Sequence, residues 1–322
     1  PHALNYAQSV TVSDRDTLSL LSTYGFDAAV MDIFGALLTG AAVAPIDMRG
    51  AESAAAVRAA LATLGVTVFH ATPTVYRYLF AAQTAPALPR VRAVVLGGEA
   101  AQPSDLKMFK QCFDNGSIFV NGLGLTESTL ALQYFADHDT PIPENALPIG
   151  RPVADTQVVL LDEHQQPAAL AVEIGIYSPW VTPGYWNAED QTAAAFLSDA
   201  QGRRIFRTGD QARCNADGEL IFTGRRDAQL KVRGQRIEPG EIEHALNHAD
   251  GIRHSAVALL TDAAGESRLT AYVVLAAGRT FEPNTLRTWL AARLPSYMLP
   301  TAIVPMDELP LTPNGKLDKQ RL

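Results

Sequence analysis

The sequence predicts an α/β protein: a parallel sheet with crossover helices, then a β-rich region, then a small α+β unit. Short apolar runs alternate with helical patterns through residues 17–125, which implies a parallel sheet. After about Asp137 the texture changes to β-type alternation with turn residues at short intervals. From Gln229 strands and helices follow in a new order, over roughly ninety residues, the size of a small domain.

TLSLLST (17–23) reads as a strand, and FDAAVMDIFGALLTG (26–40) has the spacing of an amphipathic helix ended by Gly40. AVAPI (42–46) is a strand, AESAAAVRAALATLG (51–65) a helix, and VTVFH (66–70) a strand. TPTVYRYLFAAQ (72–83) reads as a helix capped at Thr72, VRAVVLGG (91–98) as a strand, and SDLKMFKQCF (104–113) as a helix capped at Ser104. SIFVNGLG (117–124) is a strand running into a glycine turn. TQVVLLD (156–162), EIGIYSP (173–179) and GELIFTGR (218–225) are the strands of the β-rich region. Beyond them come KVRG, a helix EPGEIEHALNH, strands SAVALLT and LTAYVVLA, and a helix TLRTWLAARL (285–294). The expected division is a large unit over 1–226, α/β to about residue 137 and β-rich over about 147–226, and a small unit over 228–322. Asp227 lies at the junction.

With 322 residues, 47% hydrophobic, the chain can bury a substantial core in two domains. Lys plus Arg is 26 and Asp plus Glu is 34, a net −8, which argues against nucleic acid as the main partner. Two cysteines, Cys112 and Cys214, suggest neither a disulfide framework nor a zinc site. No basic region followed by an apolar run opens the chain. The apolar stretch Val30 to Ile46 is broken by Asp32, Gly35 and Gly40, so it reads as a buried helix plus strand and not as a membrane span. A soluble cytoplasmic protein is expected, and Pro1 in place of an initiator Met points to a piece of a longer chain.

Four segments hold residue types suited to chemistry, each with an ordinary alternative. In NGLGLTEST (121–129), glycines after a strand let backbone N–H groups approach a phosphate, Thr126 can donate a hydroxyl, and Glu127 can hold Mg²⁺; plain turn chemistry explains the same residues. In FRTGDQAR (206–213), Asp210 can accept both hydroxyls of a ribose or be a β-turn aspartate. GRRDAQLKVRGQRIEPGEIEHAL (224–246) joins a basic half to Glu238, Glu241 and Glu243 near a helix N-terminus, where the dipole favours them. In LPLTPNGKLDK (309–319) an Asn-Gly turn presents Lys316 at a loop tip.

Together and in order, these segments resemble the acyl-adenylate-forming superfamily, and within it the adenylation domains of nonribosomal peptide synthetases. FDAAVMDIFGALLTGA resembles the helix that begins the family's amino-acid pocket, and NGLGLTE its N-x-Y-G-P-T-E motif. GIYSPWVTPGYW is similar to the G-x-x-x-x-G-Y segment, and FRTGD to Y-R-T-G-D. GRRDAQLKVRGQRIEPGEIE follows G-R-x-D-x-Q-V-K-I-R-G-x-R-I-E-x-x-E-I-E almost throughout, and LPSYMLP and NGKLDK resemble the last two motifs. The resemblance covers essentially the whole chain.

It implies a large adenylate-forming core with a smaller, mobile C-terminal domain, and a two-step reaction. An amino-acid carboxylate attacks the α-phosphate of Mg·ATP, and the aminoacyl-adenylate passes to the phosphopantetheine thiol of a carrier protein. Carried over by motif, Asn121 would bind the adenine edge, with Gly98, Glu99, Gly122 and Leu123 in the same nucleotide site. Thr126 would contact phosphate, Glu127 would coordinate Mg²⁺, and Asp210, assisted by Arg225, would hold the ribose. Lys316 would bridge the substrate carboxylate, the ribose and the charge developing at the α-phosphate, and Asp227 falls at the family's hinge. The pocket lining would be Asp27, Ala28, Met31, His70, Val95, Gly97, Gly122, Leu130 and Ala131, closed by Lys316. Asp27 suits an α-ammonium group, while Met31, Val95 and Leu130 give apolar walls. The expected substrate is an α-amino acid with a medium or large, mainly apolar side chain, to which His70 adds a polar contact or stands as a structural histidine.

Departures from the pattern carry consequences. Leu123 stands where the family stacks an aromatic ring on adenine, and Leu125 where it has proline, which predicts weaker nucleotide affinity. The Ser/Thr/Gly-rich loop that grips the β- and γ-phosphates lies upstream of residue 1 in the family, so residues 1–322 are not expected to make adenylate efficiently by themselves. An acyl- or aryl-CoA ligase is an alternative, against which stand Asp27 and the match at 224–243; an inactive remnant serving as a binding scaffold is another. Neighbouring synthetase domains are expected partners.

Overall fold

The computed structural model describes residues 2–48, 50–83, 88–162, 173–199, 201–226, 230–232, 235–237, 239–261, 267–276, 278–310 and 321–322. Contacts divide the chain into two compact units, Pro1–Arg226 and Asp227–Leu322.

The first unit opens with α1 (His2–Ser9), β1 (Thr17–Leu20), α2 (Asp27–Thr39), β2 (Ala42–Pro45), α3 (Ala54–Thr63), β3 (Val68–Ala71), α4 (Pro73–Phe80), β4 (Ala93–Gly97), α5 (Pro103–Cys112) and β5 (Ile118–Leu125). These strands pair in parallel in the order β2-β1-β3-β4-β5, as the alternation of apolar runs and helices predicts. β6 (Thr129–Ala136) turns antiparallel to β5. The path then continues through β7 (Pro148–Pro152), β8 (Gln157–Leu161), β9 (Glu173–Tyr177), α6 (Glu189–Ala195), β10 (Phe196–Ser198), β11 (Arg204–Cys214) and β12 (Leu220–Arg225). Its spatial order is β6-β7-β12-β11-β9-β8, with β10 on β11, so the β-rich region extends the parallel sheet instead of standing apart from it.

The two faces of the parallel part bury different sets. Phe69, Val94, Leu96 and Phe119 face α3, α4 and α5 and join Tyr76, Phe80, Phe109 and Phe113 in one core. Phe69 and Phe80 meet edge to face at 5.4 Å, a favoured aromatic geometry. Val68, Val95 and Val120 face the other way, against Tyr6 and Val10 of the first helical segment and Ala36 of α2. At Gly35 an added Cβ would lie 3.3 Å from the Tyr6 ring, so the glycine lets α1 and α2 approach closely.

Helix α2 buries Ala29, Asp32, Gly35 and Ala36. Val30, Phe34, Leu37 and Leu38, on its outer face, are exposed in this chain. The reading of 30–46 as a buried helix plus strand therefore holds in part: Asp32, Gly35, Ala36 and Ala44 are buried, while Val30, Phe34, Leu37, Leu38, Gly40, Ala42 and Pro45 are exposed. Small side chains seat a helix close to a sheet, and hydrophobicity alone does not tell which face does the seating.

Two caps test the local reading. The Thr72 hydroxyl accepts from the Val75 amide at 3.4 Å and caps α4, as expected. At α5 the cap is Gln102 and not Ser104: Pro103 takes the first turn, where its missing N–H costs nothing, and the Asp105 carboxylate accepts from the Gln102 amide at 2.7 Å. Arg77 of α4 donates to both Asp105 oxygens and locks the two helices together.

The second unit holds β13 (Leu230–Val232) paired with β14 (Gln235–Ile237), α7 (Pro239–Asn247), β15 (Ile252–Thr261), β16 (Ser267–Leu275), α8 (Pro283–Ala291) and β17 (Ala302–Met306). β15 and β17 flank β16, the first antiparallel and the second parallel. Ile242, Leu246, Val257, Val273, Leu286 and Leu290 fill the core between this sheet and the two helices. Among the described residues no helix is long and apolar enough to cross a membrane.

Candidate functional site

A parallel sheet of order 2-1-3-4-5 has a switch point between β1 and β3, and ligands in such folds lie at the carboxyl ends of the strands. His70 is the penultimate residue of β3, Gly97 the last of β4, and Gly122 is registered beside Gly97 on β5. A Cβ added at Gly97 would meet the Gly122 carbonyl at 3.5 Å and His70 Nε2 at 4.0 Å; one added at Gly122 would meet Leu130 Cδ1 at 3.1 Å. The structure thus brings His70, Gly97, Gly122 and Leu130 together at the strand ends.

Asp27 is the first residue of α2, where the helix dipole favours a carboxylate. Its Oδ1 accepts from the Ala28 amide at 2.9 Å, and its Oδ2 accepts from the Thr126 hydroxyl at 3.1 Å. That bond joins two segments that the motifs place in one site for different roles. Met31, half-buried, and Val95 pack in the core on this face of the sheet. Ala28 is half-buried. Leu130 and Ala131 part company: Leu130 packs with that same core, whereas Ala131 is fully buried among Leu123, Leu132 and Ile149. Successive strand residues point to opposite faces, so one of the pair is turned away from Gly122.

The nucleotide-site candidates lie along β5 and the strands that follow. Gly122 and Gly124 sit within β5 and not in a glycine turn; the turn comes at Thr126–Ser128. The register shifts between Leu123 and Gly124, where a Cβ would lie 2.9 Å from the Thr129 carbonyl oxygen, so the glycine admits close backbone approach. The buried Asn121 donates its amide to the Pro148 carbonyl at 2.8 Å. Glu127, 6% exposed, accepts from the Tyr185 hydroxyl at 2.6 Å, and its carbonyl accepts from the Thr182 amide. Glu99 accepts from both the amide and the hydroxyl of Thr74 at the start of α4, and Gly98 beside it has φ +82°.

Asp210 is no turn aspartate. It is fully buried within β11, in register with Arg225 of β12, whose guanidinium donates to Oδ1 at 2.5 Å and to the Thr208 carbonyl at 3.0 Å. Gly209, at φ +72°, forms the bulge that the Thr-Gly pair suggested as a turn. Asp227 and Lys316 lie outside the described residues.

Sequence reasoning passed over three residues here. Asp32, 1% exposed, accepts from His70 Nδ1 at 2.8 Å; its only signal was a lone acid inside an apolar helix. Tyr185 sits in the GYW segment but carried no assigned role. Glu173 of β9 accepts from Arg207 and from Arg226, each at 2.9 Å; burial pushes its carboxyl up, but the two guanidinium groups outweigh it and hold it below its ordinary value. A cavity of about 580 Å³ opens elsewhere, lined by Asn5, Gln8, Gln133, Arg151 and Glu219 among others, and shares none of the candidate residues.

A family model described as AMP-binding enzyme matches residues 2–186, and one described as AMP-binding enzyme C-terminal domain matches residues 241–316. The chain is 36% identical over 326 residues to the dimodular nonribosomal peptide synthase of Bacillus subtilis, covering 99% of this chain and 13% of that protein. It is 34% identical over 319 residues to tyrocidine synthase 2 of Brevibacillus parabrevis, covering 98% of this chain and 9% of that protein. Among solved structures it is similar to holo-PA1221, an NRPS protein containing adenylation and PCP domains bound to a vinylsulfonamide inhibitor. The identity there is 29% and the TM-score 0.82, covering 96% of this chain and 53% of that one. The chain thus spans a small part of these curated relatives and about half of the solved one. With matches over 2–186 and 241–316, in both units, the chain belongs to the AMP-binding enzyme family.

Proposed function

We propose that this chain is an amino-acid-activating adenylation domain of a nonribosomal peptide synthetase. Enzymes of the AMP-binding family use ATP; here an amino-acid carboxylate oxygen attacks the α-phosphorus, forming aminoacyl-AMP and releasing pyrophosphate. The phosphopantetheine thiolate of a carrier protein then attacks the acyl carbon, and AMP leaves. A carboxylate is already nucleophilic, so the chain's task in the first step is positioning and charge neutralisation, without a general base.

The observation that supports this reading best is Asp27. Its carboxylate opens α2, held by the Thr126 hydroxyl and the Ala28 amide, and its charge acts on His70, whose Nε2 lies 4.0 Å from a Cβ placed on Gly97. An α-ammonium group suits such a carboxylate; an acyl or aryl acid leaves it without a counter-charge. Asn121, Gly98, Glu99, Gly122 and Leu123 contribute to the nucleotide site, Thr126 contacts phosphate, and Asp210 with Arg225 holds the ribose. Met31, Val95 and Leu130 supply apolar surroundings, whereas Ala131 is buried in the core on the other side of its strand. Lys316 and Asp227, which lie outside the described residues, keep the roles the resemblance implies, a lysine that bridges the substrate carboxylate, ribose and α-phosphate and a hinge residue.

Among the described residues no three His, Cys, Asp or Glu side chains converge on one point. That suits Mg²⁺, which takes one or two carboxylates together with phosphate oxygens and water. Glu127 is the donor this chain offers. When bound, Mg²⁺ neutralises charge on the ATP phosphates.

The test is calorimetric titration of the chain with non-hydrolysable acyl-sulfamoyl-adenosines, which mimic the adenylate. Aminoacyl derivatives are expected to bind, Asp27→Ala to erase their advantage over aryl and fatty-acyl derivatives, and Asp210→Ala to weaken all of them. Equal binding of derivatives lacking the α-ammonium group would point to a CoA ligase and overturn the proposal.

A further inference from the structure

Glu127, the carboxylate offered to Mg²⁺, is held by a segment 58 residues away in sequence. Tyr185 donates its hydroxyl to Oε1 at 2.6 Å, in the range of a hydroxyl on a carboxylate. The Thr182 amide donates to the Glu127 carbonyl at 2.8 Å, so the stretch from Thr182 to Tyr185 grips both the backbone and the side chain of Glu127. Glu127 is 6% exposed, and Tyr185 is half-buried. Thr126, the preceding residue, is held by Asp27 of α2, so the two neighbours are fixed by separate elements.

Tyr185 is itself fixed at three points. Its amide donates to Thr192 Oγ1 of α6 at 2.9 Å, and that hydroxyl donates to the Ala188 carbonyl at 2.9 Å. Its ring meets the buried Phe196 edge-on, the centroids 5.8 Å apart. The third point is the hydroxyl on Glu127. Gly184 makes this approach possible: its φ is +145°, and an added Cβ would lie 2.5 Å from Thr192 Cγ2. The hydroxyl thus reaches Oε1 from a braced ring and not from a side chain free to choose among rotamers.

We propose that Tyr185 is a positioning residue, which holds the Glu127 carboxylate ready for the Mg²⁺ of a polyphosphate ligand, with Gly184 and Thr192 as its support. This rests on the adenylation reading, which gives Glu127 its role, and extends it to a tyrosine on a different segment. A loose glutamate surrenders its rotamer freedom at the moment it takes a cation, whereas one already held has surrendered it on folding. Hydrogen-bond partners of a ligating carboxylate accordingly carry about ten-fold or more in metal affinity. A purely structural bond would serve the fold alike with and without the cation, so cation dependence separates the two roles. Phenylalanine at 185 keeps the ring on Phe196 and removes only the donor.

The test compares, on the whole chain, a ligand that brings a cation with one that does not. α,β-Methylene-ATP carries the phosphates that bind Mg²⁺; an aminoacyl-sulfamoyl-adenosine carries none. Both are titrated calorimetrically at rising Mg²⁺ into wild type, Tyr185→Phe, Glu127→Gln and the double variant. Mn²⁺ in place of Mg²⁺ is followed by EPR in the presence of α,β-methylene-ATP. Tyr185→Phe is expected to weaken cation-dependent binding of α,β-methylene-ATP by about ten-fold and to leave the sulfamoyl-adenosine within about two-fold of wild type. The Mn²⁺ signal should demand about ten-fold more metal. In the double variant the tyrosine change adds nothing to Glu127→Gln, because the carboxylate through which it acts is gone. Thr192→Val, which withdraws the support of the Tyr185 amide, should show the same cation-selective loss at smaller size. Equal loss for both ligands, additive loss in the double variant, or an unchanged cation dependence in Tyr185→Phe overturns this proposal alone. So does a wild type whose binding of α,β-methylene-ATP gains nothing from Mg²⁺ while the sulfamoyl-adenosine binds. Failure of every aminoacyl-sulfamoyl-adenosine to bind wild type overturns the adenylation reading and this inference with it.

Discussion

The turn before β1 is fastened by Asp16, and its removal has a calculable pH signature. Its Oδ1 accepts from the Thr67 hydroxyl at 2.7 Å and Arg92 Nε at 2.8 Å; its Oδ2 accepts from Arg92 Nη2 at 2.8 Å and the Ser13 amide at 2.9 Å. Burial pushes the carboxyl up, but these donors outweigh it and bring it down to about 2. A value depressed in the folded state stabilises the fold above the unfolded value, and the benefit is lost as pH falls toward the folded one. From an ordinary value of about 3.9 the ceiling on the contribution lies between about 2 and 3 kcal/mol, lessened because Arg92 is partly exposed and screened. Asp16→Asn keeps the shape and removes the charge. Urea unfolding, followed by hydrogen exchange in β1 and β3, is expected to show a wild-type advantage that is constant above about pH 5 and shrinks between about pH 4 and pH 2. An advantage independent of pH, or one that grows on acidification, would refute the reasoning.

Other substitutions separate structural from functional glycines. Gly150→Ala puts a Cβ 1.9 Å from the Gln133 carbonyl oxygen at φ +82°, so a loss of about 3 kcal/mol or more is expected in thermal unfolding. Gly97→Ala meets nothing closer than 3.5 Å, so stability should change by less than about 0.5 kcal/mol. The new methyl narrows the crevice, and titration with adenylate mimics should show large side chains weakened by about ten-fold or more.

The parallel order of β1 to β5 was legible because each buried strand is a short apolar run between helical patterns, and the observed ends fall within a few residues of the expected ones. Glycine misled in two places. Gly124 and Gly209 read as turns but lie inside strands, at bulges where a neighbouring segment comes close or the register shifts. The Ser104 cap failed because Pro103 can occupy the first helical turn, moving the start of α5 back. The candidate residues on motifs were visible one by one, but their juxtapositions were not. Asp27 with Thr126 and Asp32 with His70 depend on which helix covers which strand end, a property of the assembled sheet and not of any window of sequence.

The bonds that close the crevice also set when it can exist. Asp32 and His70 are 38 residues apart, and Asp27 and Thr126 are 99 apart. Contacts of such separation form late, because loop-closure entropy must be met before they return any stabilisation. Refolding chains should therefore regain helical signal before they regain affinity for an adenylate mimic. Ligand capture then reports completion of the whole β1–β6 assembly, and a substitution far from the crevice that delays pairing of β5 will look, in a short assay, like a binding defect.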